Sequence, residues 1–79
     1  MIIKVLGPGC AKCKSLERDT INALAEMNFA ADVEKVEDIV KIMNYGVMRT
    51  PALVINEKLV LSGRLPSKEE IKRIISENQ

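Results

Sequence analysis

The feature that most limits what this chain can become is its opening. The apolar run MIIKVL stops at Gly7-Pro8-Gly9, and apolar side chains then recur at helical spacing. A β-branched, nearly continuous apolar segment reads as a strand covered on both faces, so the rest of the chain must supply a layer on each side. From Cys13 onward Leu16, Thr20, Leu24 and Met27 share one helical face, and Asn28 is a suitable terminator for a long first helix. The segment AADVEKV is a weaker second strand resting on Val33. Val36, Ile39, Val40 and Met43 then predict a short amphipathic helix that buries those side chains, with Gly46 as its stop.

After Thr50-Pro51, the runs ALVI and LVLSG flank Asn56, Glu57 and Lys58 and read as a hairpin. Ser67 followed by Glu70 has the capping-box spacing, and Ile71, Ile74 and Ile75 supply the inner face of a last helix. The order is βαβαββα. A βαβ unit followed by a ββα unit implies an α/β fold with one four-stranded mixed sheet packed between helices.

At 79 residues the chain is expected to be one domain, residues 1–79, near the lower limit for a single hydrophobic core. Phe29 and Tyr45 are the only aromatics, so the core must come from aliphatic residues and methionine. Twelve basic residues against 11 acidic ones, interleaved, form no electrostatic footprint for nucleic acid. Ile2 to Leu6 is interrupted by Lys4 and is far too short for an export signal or a membrane span. A cytoplasmic protein with no membrane attachment is therefore expected.

The chemistry-bearing stretch is GPGCAKCK. The chain has two cysteines, Cys10 and Cys13, and no histidine. A disulfide between them closes a tiny loop and removes little entropy from the unfolded chain, so a structural staple is a poor reading. If the helix begins at or near Cys10, residues three apart lie on one face with Cα atoms about 5 Å apart, a separation that permits a disulfide. The same placement sets the Cys10 sulfur beside the unpaired amides and positive end of the first turn, where a thiolate is favoured, with Lys12 and Lys14 nearby. Cys10 should be exposed and Cys13 shielded. Redox exchange and soft-metal binding both remain open on these residues: two thiolates suit copper(I), whereas tetrahedral zinc needs about four ligands.

CAKCK at a strand-to-helix junction, YGVMRTPALVI and LSG together resemble the thioredoxin superfamily, specifically its small redox-active disulfide proteins of about glutaredoxin size. The resemblance spans nearly the whole chain. It implies a thiol–disulfide oxidoreductase in which Cys10 attacks and Cys13 resolves, with no cofactor and no metal. It also implies that Pro51 follows a cis peptide bond and faces the cysteines, that the Thr50 backbone pairs with an extended substrate segment, and that Gly9, Arg49 and Met48 lie where they meet the partner. The implied partners are a disulfide-containing protein or small thiol and a reductase that reopens the Cys10–Cys13 bond. A monomer is expected.

The chain departs from the family at three places. Gly9 stands where thioredoxins carry a tryptophan, and Lys4 stands where they carry a buried acid; Lys4 is expected to snorkel or to pair with Asp32 or Glu34. Gly63 and Arg64 resemble only part of the glutaredoxin glutathione site. The competing reading is a copper(I) carrier similar to the heavy-metal-associated domains, which also place Gly-x-Cys-x-x-Cys after the first strand but run strand, helix, strand, strand, helix, strand. An inactive interaction module, or a subunit sharing an iron–sulfur cluster across a dimer, is a third class.

Overall fold

In the computed structural model, which describes all of residues 1–79, the opening apolar run is a central strand. The elements follow in the order β1 (Ile2–Leu6), α1 (Ala11–Glu26), β2 (Asp32–Val36), α2 (Ile39–Asn44), β3 (Ala52–Ile55), β4 (Lys58–Ser62) and α3 (Lys68–Glu77). The sheet order is β2-β1-β3-β4, with β1 parallel to β2 and antiparallel to β3. Since β3 also runs antiparallel to β4, the sheet is mixed.

Alternation along the strands sorts side chains to two faces. Ile3, Val5, Leu53 and Ile55 point to one side and pack with Leu16, Ala23 and Leu24 of α1 and Ile71, Ile74 and Ile75 of α3. Leu6, Ala52 and Val54 point to the other side and pack with Ile42 and Val47. All four residues of β3 are buried, as a strand covered on both faces requires.

α1 ends as its sequence suggests. Asn28 adopts φ 53°, the Phe29 N–H donates to the Leu24 carbonyl at 3.0 Å and the Asn28 N–H to Ala25 at 3.1 Å, the two bonds of a Schellman motif. Thr20 is fully buried on the same helix and satisfies its hydroxyl by donating to the Leu16 carbonyl at 2.7 Å.

Three local expectations are corrected. In α2 the buried side chain is Ile42, whereas Ile39, Val40 and Met43 are more than half exposed. The helix is six residues long and Val36 belongs to β2, so the apparent stripe crosses an element boundary. The small sheet face beneath α2 is filled by Ile42, with Val47 and half-buried Tyr45 from the following segment. Lys4 pairs with neither Asp32 nor Glu34: its ammonium donates to Glu57 Oε1 and Tyr45 Oη, both at 2.7 Å. The cause lies in the β3–β4 turn, where Asn56 and Glu57 both take positive φ and Asn56 is bonded to the Ile2 backbone, which brings Glu57 over β1. Finally, only half of the capping box forms. Ser67 Oγ accepts from the Glu70 N–H at 3.2 Å, but the Glu70 carboxylate pairs with Arg64.

Candidate active site

The site lies where β1 hands the chain to α1. Gly7 leaves β1 with its N–H donated to the Val36 carbonyl at 2.9 Å, and Gly9, at φ +89°, turns the backbone toward the helix. Positive φ suits glycine because it lacks the Cβ that clashes there. Cys10 is then the N-cap of α1, with extended backbone, and its sulfur accepts from the Cys13 N–H at 3.2 Å. A sulfur in the position that usually holds a capping oxygen sits among the unpaired amides of the first turn, the place where negative charge is stabilised.

Cys10 and Cys13 are joined as a disulfide with Cα atoms 5.1 Å apart. The pair is asymmetric, since Cys10 is exposed and Cys13 is 3% exposed beneath it. The second segment approaches from the other end of the chain. The Thr50–Pro51 peptide is cis, Pro51 is buried and Thr50 is half-buried. The Thr50 Cβ would stand 3.7 Å from a Cβ built on Gly7, and that same built atom would overlap the Cys13 sulfur, so Gly7, Cys13 and Thr50 meet at one point. The Pro51 carbonyl accepts from the Gly63 N–H at 2.9 Å, which fixes the loop after β4 against the cis-proline segment.

The remaining sequence-predicted positions are placed as follows. Gly9 is half-buried and faces the Glu37 carboxylate, whose Oε2 lies 3.2 Å from where a Gly9 Cβ would be. Arg49 is exposed and lays its side chain over Gly63, with its Cβ 3.3 Å from where a Cβ would be on that glycine. Met48 is 95% exposed. Arg64 is held by Glu70, which raises its pKa through the hydrogen bond between them.

Sequence reasoning missed Gly7 and Glu37. Gly7 reads as a strand breaker, and only the packed structure shows that its missing side chain is filled by sulfur. Glu37 is one of several acids near α2, and its closeness to Gly9 follows from the β1–β2 pairing. A groove of about 520 Å³ lies away from the cysteines. It runs between β2 and α2, past Lys4, Lys41, Tyr45 and Glu57. Lys4, which lines it, donates to Glu57 and Tyr45.

A βαβαββα sheet-and-helix core with an N-capping CxxC disulfide set against a cis-proline loop defines a thioredoxin-like fold with a thiol–disulfide site. Comparison with known sequences bears this out: the thioredoxin domain family matches residues 1–76. A protein named thioredoxin from Methanothermobacter thermautotrophicus is 38% identical over 76 residues, spanning 96% of this chain and 99% of that protein. A second, also named thioredoxin and from Methanocaldococcus jannaschii, is 33% identical over 72 residues, spanning 91% of this chain and 83% of its own. The chain belongs to the thioredoxin domain family. The copper-carrier alternative finds no support, because the helix between β2 and β3 and the terminal α3 break the order that reading requires. No helix is long and apolar enough to cross a membrane.

Proposed function

We propose that this protein is a cytoplasmic, monomeric, single-domain thiol–disulfide oxidoreductase that reduces disulfides in other proteins. Family membership supports the thiol–disulfide activity in general. The observation that carries the finer reading is the asymmetry of the pair: an exposed Cys10 sulfur at a helix N-terminus, bonded to a buried Cys13.

In the reduced protein the Cys10 thiolate attacks one sulfur of a substrate disulfide. The S–S bond breaks, the unattacked sulfur leaves as a thiolate and takes a proton, and a mixed disulfide joins Cys10 to the attacked one. Cys13 loses its proton and attacks Cys10 Sγ, expelling the second substrate thiolate and closing Cys10–Cys13. Two electrons and two protons have passed to the substrate, and a reductase must return them. Thr50 presents its backbone beside the cysteines for an extended substrate strand, Pro51 closes the floor, and Gly9 and Arg49 border the docking surface. A protein disulfide is favoured over glutathione because the chain has no glycine pair after the hairpin, Gly63 being followed by Arg64.

The test is turnover of insulin disulfides by the reduced protein. Cys10→Ser is expected to abolish reduction, and Cys13→Ser to accumulate a mixed disulfide through Cys10. Turnover that survives Cys10→Ser would sink the assignment.

A further inference from the structure

Gly7 is the one glycine of the four that does not take a positive φ, so the left-handed region is not what calls for glycine here. What excludes a larger residue is space. A Cβ there would overlap the Cys13 sulfur, stand 3.0 Å from the Cys13 Cβ and lie 3.7 Å from the Thr50 Cβ. The backbone cannot back away, because Leu6 is registered against Ala52 and Val36 on its two sides and the Gly7 N–H is bonded to the Val36 carbonyl. Cys13 is equally confined, on a helix anchored by the fully buried Leu16.

We infer that Gly7 is a positioning residue: its missing side chain is the seat of the Cys13 sulfur, and it thereby sets the balance between the closed disulfide and the open dithiol. This rests on the reading of Cys10–Cys13 as the redox couple. In the disulfide the Cys13 sulfur is held twice, by the α1 backbone and by its bond to Cys10. In the dithiol the second restraint is gone and the Cys13 side chain can rotate to another staggered position. A methyl at residue 7 therefore opposes the closed form more than the open one, as overpacking does wherever the neighbour cannot yield.

The experiment is equilibration of the full chain with glutathione. Two glutathione thiols give two electrons and two protons to the Cys10–Cys13 bond, yielding the dithiol and one glutathione disulfide. Gly7→Ala is expected to shift this equilibrium constant at least tenfold toward the dithiol, equivalent to about 30 mV. A constant unchanged within twofold overturns the inference, since a merely structural role lowers the stability of both forms alike. A second readout removes the sulfur. In a Cys13→Ala background Gly7→Ala is expected to cost less unfolding stability than it does in the parent, because the sulfur contact is gone and only the 3.0 Å contact with the Cβ of residue 13 remains. If Gly7→Ala alone fails to fold, recovery of folding in the double variant supports the seat, and failure in both backgrounds overturns it. A parent protein whose Cys10–Cys13 bond is opened by neither glutathione nor dithiothreitol overturns the redox reading and this inference together; a normal parent beside an unshifted variant overturns the inference alone.

Discussion

Replacing Ile42 by alanine tests how α2 is seated. Ile42 is 3% exposed and packs with Leu6, Val47, Ala52 and Val54 beneath the shortest helix of the fold. The change removes about three carbons, each worth ~0.8 kcal/mol when buried. Transfer alone thus costs about 2.4 kcal/mol, and the cavity left behind raises the loss to roughly 3 kcal/mol, within the range seen for such truncations. A chain of this size holds only ~4–12 kcal/mol of net stability. At ~4–8 °C per kcal/mol the melting temperature should fall by roughly 12–24 °C. Met43→Ala and Val40→Ala, at positions 65% and 66% exposed, should each stay within about 0.5 kcal/mol of the parent. Urea unfolding of the three variants, each with the disulfide intact, reads the comparison directly. A loss at Met43 or Val40 equal to that at Ile42 would refute the placement of α2 and restore the helical face read from the sequence.

Glu26 joins α1 to Lys68 and Lys72 of α3, and these hydrogen bonds hold its carboxyl down at about 2. A depressed folded-state value means that the stabilisation is present above the unfolded value near 4.5 and is lost as pH falls from there toward 2. Glu26→Gln should therefore flatten the acid limb of a melting-temperature profile in that window, and an unaltered limb would count against the ion-pair link. Lys4→Met should leave the pH profile of Cys10 alkylation where it is, because the Lys4 ammonium is tied to Tyr45 and to the β3–β4 turn, at the opposite end of β1 from the cysteines. A displaced profile would return Lys4 to the mechanism.

Elements with several turns or strong punctuation were legible from residues alone. α1 has four turns of consistent apolar spacing and an asparagine in the left-handed terminator, and β3 is apolar on both faces because both faces are covered, with β1 interrupted at Lys4. The phase of α2 was not legible, since six residues hold fewer than two helical turns and the stripe borrowed Val36 from a strand. The partner of Lys4 depends on a turn more than fifty residues away, and that of Glu70 on a competition between Ser67 and Arg64 that spacing cannot decide. At the site, the two cysteines and the asymmetry of their exposure followed from helix geometry. The cis bond at Pro51 came from the resemblance alone, and the contact of Gly7 with sulfur is a matter of ångströms that no pattern encodes.

The central claim is that Cys10 is the attacking thiol and Cys13 the shielded one, and alkylation of the fully reduced protein tests it most directly. Iodoacetamide is added over a range of pH, and the label on each cysteine is mapped by mass spectrometry. The predicted result is that Cys10 is modified first, with a half-maximal rate at a pH below the ordinary cysteine value of about 8.5, while Cys13 stays protected. Equal labelling of the two, or faster labelling of Cys13, would contradict the assignment of roles.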